Sequence, residues 1–353
     1  MAGPPPPQAI LLDKFNQMIA FRSVAAFGSL GIADHLAAGP ATAVDIAQAL
    51  HLHPQSTFRL LRAGANIGLV TQSSPCFDDA VFALTPLGDC LRSDVPGSLR
   101  HLMQAWATPG FWQSFQYFEA TIQTGQTAAH IAHGTDIWTY FAKHPEDETM
   151  FAKGLDGLSD GAIQAFLAAY EFDQARTRVV VDVGGSHGSL LAATMSKLPA
   201  AQGILFDVPA VINTANAKLT SYGALKNRIT AISGDFFQAV PQSGDLYMLK
   251  YILHDWNDAE CVLILKNIVK AASRGAKVLA IEMVLHSNVE PAAATPGGLL
   301  SPSIFMDMSM LVLCTGQERT PEQYAALYKQ AGIQFTRYIP TASPFGIIEG
   351  VVE

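Results

Sequence analysis

The chain is poor in charge. Asp, Glu, Lys and Arg make up 15% of its 353 residues against 49% hydrophobic, and 30 acids outnumber 22 basic residues, for a net charge of -8. A surface of that sign does not neutralise phosphates, which argues against nucleic acid as a general partner. Long apolar runs are absent as well: none approaches the roughly 18 residues that a membrane span needs. Cysteine is scarce, and Cys76, Cys90, Cys261 and Cys314 form no C-x-x-C pair. Four unpaired cysteines in a chain of this size read as free thiols of a reducing, cytoplasmic compartment. His130-Ile-Ala-His133 has no cluster of acids or cysteines beside it, so it belongs to an ordinary helix or loop and no metal is assigned. The stretch Met1-Ala-Gly-Pro-Pro-Pro-Pro7 has no basic region followed by an apolar one. It reads as a disordered lead-in rather than a secretory signal.

What is present begins with Val179-Val-Val-Asp-Val-Gly-Gly-Ser-His-Gly188. A β-branched run ends in an acid, opens onto glycines and passes into an apolar helical pattern over 189–198. That is a buried parallel strand, a tight turn and a helix, the unit that presents backbone to a nucleotide-like ligand. The spacing Gly184-Gly185-x-x-Gly188 is not the dinucleotide G-x-G-x-x-G, and the Lys-Ser/Thr of a phosphate loop is missing. A second strand, Gly203-Ile-Leu-Phe-Asp-Val-Pro209, puts Asp207 about twenty residues further on, where a carboxylate can accept both hydroxyls of a ribose. A third, Ile229-Thr-Ala-Ile-Ser-Gly-Asp235, ends beside Phe236. An acid next to an aromatic can bond the adenine amine and cover the ring; Asp235 could equally cap a turn, and Phe236 could be core. Three strand ends with adenosine chemistry and little provision for phosphate suit S-adenosylmethionine better than a nicotinamide dinucleotide.

The length suits roughly two domains. Residues 8–37 have a helical pattern whose apolar side chains, among them Leu11, Leu12, Phe15, Met18, Ile19 and Phe27, crowd most of the circumference. Such a helix must be buried on several sides, either within its own domain or, as its N-terminal place favours, against a partner subunit. Thr42 can cap a helix through Leu50, and Ser56 or Thr57 can start another through Ile67. Gly68-Leu-Val and Val81-Phe-Ala-Leu-Thr then read as two strands. Helix, helix, hairpin is a winged-helix pattern, but up to residue 100 six basic side chains face seven acids, so a DNA-reading role is disfavoured. Residues 101–172 read as a helical bridge rich in aromatics, with Trp112 and Phe151 among the candidates for an apolar substrate wall. From 173 to 353 strands and helices alternate, as in a doubly wound Rossmann-like α/β domain. The expected organisation is thus a winged-helix-like dimerisation unit over 8–100, the bridge over 101–172 and a catalytic domain over 173–353.

The fourth strand leads into Lys250-Tyr-Ile-Leu-His-Asp-Trp256. In open α/β sheets ligands bind beyond the carboxyl ends of the strands. His254 therefore stands on the reactive side, where an imidazole can take a proton from a hydroxyl; it could instead cap the following helix. Glu282 ends the strand Val278-Leu-Ala-Ile-Glu282, and Glu318 lies in Thr315-Gly-Gln-Glu-Arg-Thr320. One carboxylate can orient the imidazole while the other fixes substrate, and the sequence leaves open which does which. Glu318 could also serve only in a salt bridge or cap, and Thr320-Pro-Glu-Gln323 looks like a helix start. Asp307, among Phe305, Met306, Met308 and Met310, suggests a mostly apolar pocket with one acid.

Asp182-Val-Gly-Gly, Phe206-Asp-Val-Pro209, Gly234-Asp-Phe236, Lys250-x-x-x-His254-Asp-Trp256, Ile281-Glu282 and Gly316-x-Glu-Arg-Thr320 occur in one order along the chain. In that order and spacing the chain resembles the caffeate-type small-molecule O-methyltransferases of plant phenylpropanoid and bacterial polyketide-tailoring pathways. The likeness extends to the N-terminal segment Phe82-x-Leu-Thr-Pro-x-Gly88. It implies S-adenosylmethionine held by Gly184, Asp207, Asp235, Phe236 and Lys250, with His254 as general base flanked by Glu282 and Glu318. Trp112, Phe151, Met306 and Asp307 are the expected substrate contacts. It also implies an obligate two-fold dimer in which residues 8–37 intertwine with their twin. Ser186 replaces the usual third glycine, Phe151-Ala-Lys-Gly-Leu155 lacks the usual methionine, and Gln317 replaces a lysine at a surface position. Some members of this group have been recruited to pericyclic, decarboxylating or hydroxylating reactions. Because His254, Glu282 and Glu318 are all present, methyl transfer to an aromatic hydroxyl is the favoured expectation.

Overall fold

The structure is a computed structural model that describes residues 5–286, 289 and 300–353, without the side chains of 216 and 217. Of the lead-in expected over 1–7, residues 1–4 lie outside the described part. The chain forms two compact units, Met1–Gln113 with Trp138–Asp160 and Ser114–Ile137 with Gly161–Glu353. The segment 101–172 contributes to both.

In the first unit, Pro7 opens a helix that runs to Ser29, and a second helix covers Ile32–Ala37. The single helix expected over 8–37 is thus interrupted. Gly31, at φ +73°, takes the left-handed conformation that ends one helix and admits the next. Thr42 caps the helix Ala43–Ala49 through a reciprocal box with Asp45. The next helix, Pro54–Ile67, starts ahead of Ser56 because Pro54 fits the first turn and the His53 ring accepts the Ser56 N–H at 3.3 Å. Gly68 ends that helix at φ +94°, so the strand expected from Gly68 begins only at Val70. Three short antiparallel strands follow the order β1–β3–β2: β1 (Ala41–Thr42), β2 (Val70–Gln72) and β3 (Val81–Leu84). The two-residue β1 was not foreseen. Phe27, Ile32, Ile46, Leu61 and Phe82 form the core of this unit. The outer part of the first helix stays out of it: Ile10, Leu11, Leu12, Phe15, Met18 and Ile19 are 48% to 72% exposed on the single chain.

The second unit is built on a seven-stranded sheet. Its strands are β4 (Val179–Val183), β5 (Gln202–Asp207), β6 (Ile229–Ser233), β7 (Leu246–Lys250), β8 (Lys277–Met283), β9 (Ile333–Pro340) and β10 (Phe345–Val352), in the order β6–β5–β4–β7–β8–β10–β9. The first five are parallel. The central strands β4, β7 and β8 are buried along nearly their whole length and read as mostly apolar runs, whereas β6 at the edge is partly exposed. The alternation expected to continue to the end stops after the helix Pro321–Ala331, where β9 and β10 form a hairpin and β10 inserts antiparallel between β8 and β9. Strand order reverses between β4 and β7, and that reversal opens a crevice at their carboxyl ends. Among the described residues no helix is long and apolar enough to cross a membrane, and all four cysteines are free.

Candidate active site

At the end of β4, Gly184 takes φ +69°, and a Cβ there would collide with Ile252. Only glycine suits this turn. The Gly184 and Gly185 N–H groups donate to the Phe206 carbonyl at 2.8 and 3.2 Å. Ser186 also lies in the left-handed region, at φ +51°. Its N–H donates to Asp207 Oδ2 at 2.8 Å, and the Val208 N–H donates to Oδ1 at 2.7 Å. Burial raises the Asp207 carboxyl above the usual range despite these two bonds. Asp235 is exposed and accepts the Phe237 N–H at 2.8 Å, so it does cap its own turn. Phe236 lies edge-on to Phe237 and Trp256, beside Gly184. Lys250 ends β7 with its ammonium 4.0 Å from the Tyr251 ring centroid. Burial pushes the neighbouring Asp182 carboxyl up to about 7, opposed by the Lys250 charge. A glycine cradle, an acid at the second strand tip, an exposed acid and a half-buried aromatic at the third suit an adenosine-bearing cation with no phosphate.

Beyond Lys250 the chain turns sharply. Tyr251 adopts φ +58° and a single 3-10 turn covers Leu253–Asp255. Glu282, fully buried on β8, accepts the N–H groups of Ile252 (3.1 Å) and Leu253 (2.8 Å) through Oε1. His254 is buried, with Nδ1 2.8 Å from Glu318 Oε1 and 4.0 Å from Glu282 Oε2. The two acids therefore have different tasks: Glu318 holds the imidazole and Glu282 braces the turn that carries it. A carboxylate at Nδ1 keeps the ring proton there and leaves Nε2 as the acceptor.

The loop that brings Glu318 is tightly fixed. At Gly316 a Cβ would collide with the His254 and Asp255 backbone. The fully buried Arg319 donates to Asp258 Oδ1 (2.8 and 3.0 Å) and to the carbonyls of Leu253 and Trp256 (both 2.8 Å). The salt bridge thus belongs to Arg319 and Asp258. Thr320 caps the helix Pro321–Ala331 with Gln323, as expected. Asp307, on the helix Pro302–Leu313, accepts the Glu318 N–H at 2.9 Å and so joins the reaction centre; Met306 is its half-buried neighbour. Trp112 and Phe151 belong to the first unit. There Trp112 stacks on Phe21 and takes the Arg22 guanidinium at 4.8 Å, while Phe151 packs on Phe111, Phe141 and Trp138.

Three residues of the centre went unrecognised in the sequence. Asp255 Oδ1 lies 3.4 Å from His254 Nε2, Cys314 Sγ lies 3.8 Å from the same oxygen, and Tyr251 stacks on the imidazole. Asp255 sits in the quoted His-Asp-Trp motif, so adjacency was the available signal; nothing singled out the other two.

Burial alone would lower the pKa of His254. The charges of Asp255, Glu282 and Glu318 and the Glu318 hydrogen bond outweigh it and push it up to about 10. Burial raises Glu282 to about 7 and Asp255 to about 6, against the pull of the His254 charge. The donor atoms of His254, Glu282 and Glu318 lie within 4.8 Å of one another, a set that a divalent cation can also use. Here Nδ1 is engaged by Glu318 and Glu282 Oε1 by two backbone N–H groups, so the cluster as built holds protons.

Fold and site together define a methyltransferase of the Rossmann-like class. The O-methyltransferase domain family matches residues 115–334, and the O-methyltransferase dimerisation domain matches residues 13–94. The chain is 34% identical over 350 residues to the phenazine O-methyltransferase PhzM of Lysobacter antibioticus, covering 99% of this chain and 97% of that protein. The crystal structure of LaPhzM superposes with a TM-score of 0.90 at 33% identity, over 99% of this chain and 100% of that one. The O-methyltransferase NcsB1 of neocarzinostatin biosynthesis was solved with S-adenosylmethionine and 2-hydroxy-5-methyl naphthoic acid. It matches with a TM-score of 0.76 and 29% identity, over 94% and 96% of the two chains. The chain belongs to the O-methyltransferase family, and it is an enzyme that uses S-adenosylmethionine as methyl donor. The non-methylating alternative gains no support from these relatives.

Proposed function

We propose that this enzyme methylates a phenolic hydroxyl of an aromatic small molecule in natural-product biosynthesis, acting in the cytoplasm as a homodimer, with His254 as the general base. The observation that carries the reading is the 2.8 Å contact between His254 Nδ1 and Glu318 at the carboxyl end of β7, beside the glycine turn that suits the cofactor. S-adenosylmethionine, when bound, supplies the methyl group as an electrophile. Gly184, Asp207, Asp235 and Phe236 would hold its adenosine, and Lys250 lies on the same strand edge. The phenazine and naphthoic acid named for two relatives are aromatic, which supports the same substrate class.

The protein's own part is proton handling and orientation. The substrate hydroxyl gives its proton to Nε2 of His254, and the Glu318 carboxylate stabilises the resulting imidazolium through Nδ1. A phenol titrates near 10, and the carboxylates bring His254 up to about the same value. The carboxylates thus raise the basicity of the ring toward a phenolic proton. Glu282 keeps the turn fixed through its two backbone bonds, so the base does not drift as its charge changes. Asp307 steadies Glu318 from the other side, and Met306, beside it on the same helix, supplies apolar wall. Holding the reactants in register can contribute roughly 7–11 kcal/mol.

His254→Ala tests the assignment. With a panel of hydroxyaromatics and labelled cofactor, turnover should fall by about a hundredfold or more, while calorimetric cofactor affinity stays within about threefold. Wild-type turnover in that variant would remove His254 from the mechanism.

A further inference from the structure

Tyr251 carries features that the roles above leave unexplained. It is among the few described residues other than glycine with positive φ, at +58°. A side chain with a Cβ is disfavoured in that conformation, and such outliers gather where function fixes the backbone. The residue lies between the last residue of β7 and the turn that carries the base, and its N–H still reaches the Ile281 carbonyl at 3.3 Å. The left-handed step redirects the chain so that the next two N–H groups meet Glu282.

The side chain is 92% buried, at 8% exposure. Its ring is nearly parallel to the His254 imidazole, with centroids 5.7 Å apart and planes 26° apart. Phe345, at the start of β10, supports it edge-on at 4.6 Å and 77°. The Lys250 ammonium lies 4.0 Å from the ring centroid. The hydroxyl is buried without a hydrogen-bond partner among the described residues, as are the second oxygens of Glu282 and Glu318. Burial and the charges of those two acids keep the phenol protonated.

We propose that Tyr251 is a positioning residue for methyl transfer: its ring sets the plane of the His254 imidazole, and it acts through that base. The inference rests on His254 being the base. Glu318 and Asp255 contact the ring only at its edge, at Nδ1 (2.8 Å) and Nε2 (3.4 Å), and edge contacts restrain the swing of the ring about its Cβ–Cγ bond less than a packed face does. A flat face stacked on the imidazole and backed by Phe345 removes that rotation. Nε2 then stays aimed at the substrate oxygen through repeated protonation and deprotonation. The ring also keeps water from the cluster, so the charges of Asp255, Glu282 and Glu318 act on His254 unscreened.

The test compares Tyr251→Phe, Tyr251→Leu and His254→Ala in the full-length enzyme. Phe keeps the face and should retain turnover within about threefold. Leu should lower kcat by about tenfold or more, with KM and calorimetric cofactor affinity within about threefold. Water entering past Leu screens the three carboxylates, so the limb of the pH–rate profile that reports His254 should move down toward the ordinary imidazole value of about 6.5. Asp255, Glu282, Glu318 and Lys250 are unchanged in both Tyr251 variants, so the shift reports the ring. Should the Leu variant fail to fold, Tyr251→Met carries the same expectations. Wild-type kcat and an unmoved limb in Leu, alongside an inactive His254→Ala, would overturn the role of Tyr251 and leave the base standing. Loss of cofactor affinity in step with kcat would reduce Tyr251 to a structural residue, and an active His254→Ala would instead overturn the base.

Discussion

His254 Nδ1 lies 2.8 Å from Glu318 Oε1 but 4.0 Å from Glu282 Oε2. That difference divides two acids of the same type between two tasks, because a hydrogen bond weakens steeply beyond normal contact. One acid contacts the imidazole, the other the backbone.

Substitution should separate them. Glu318→Gln keeps a hydrogen-bonding group at Nδ1 but removes the charge that stabilises the imidazolium, so kcat should fall by about ten- to a hundredfold, with a loss of melting temperature confined to the pH range in which His254 is charged. Glu282→Ala leaves two N–H groups without their acceptor at a fully buried position. Each such group costs about 1–3 kcal/mol, so thermal stability should drop along with activity. Calorimetry and turnover on the two variants check this. Equal loss of stability in both would collapse the division of roles.

Stability should fall as the solution becomes alkaline. Folding raises the pKa of His254 from an unfolded value of about 6.5 to about 10. The contribution is therefore fully present below the unfolded value and is lost as pH rises through the folded one. Glu282 and Asp182, each raised to about 7, add the same sign at lower pH, since their charged forms are disfavoured in the folded chain. Thermal melts at pH 6, 8 and 10 should show a steady decline, and His254→Gln should flatten the slope above pH 7. A melting temperature that rises toward pH 10 would contradict the assignment.

The N-terminal helix should govern assembly. Leu11, Leu12, Phe15 and Met18 expose 52% to 72% of their surface on one chain, and an apolar face of that kind is the mark of an interface. Replacing Leu11 and Phe15 by Glu should give a monomer, or an aggregating species, in analytical ultracentrifugation, with activity reduced. Deleting residues 1–37 should cost solubility and activity together. A soluble, fully active monomer from either change would sink the dimer.

The strand ends were legible because buried parallel strands leave apolar runs, so Gly184, Asp207, Asp235 and His254 could be placed at or just beyond strand tips, where the structure has them. Local punctuation was less legible. Gly31 splits the first helix, His53 rather than Ser56 caps the Pro54–Ile67 helix, and β1 is too short to show a period. The role of Tyr251 depends on one backbone dihedral that propensity would not choose. Asp255 and Cys314 meet only because the loop carrying Glu318 passes over the catalytic turn at Gly316, a contact between segments far apart in the chain. The choice of Glu318 over Glu282 as the imidazole's partner turns on about one ångström, which spacing in sequence does not encode.

The place of β10 sets the order in which the enzyme is completed. It fills the gap between β8 and β9 although it is synthesised after both. On the ribosome, β8 emerges with an open edge and waits for a strand more than sixty residues downstream. Phe345, the first residue of that strand, is also the support behind Tyr251. A nascent chain can thus assemble the crevice formed by β4 to β7 while the wall behind its base is still missing. The crevice proposed for the cofactor needs none of β10, whereas the proposed base gains its backing only when β10 closes the sheet.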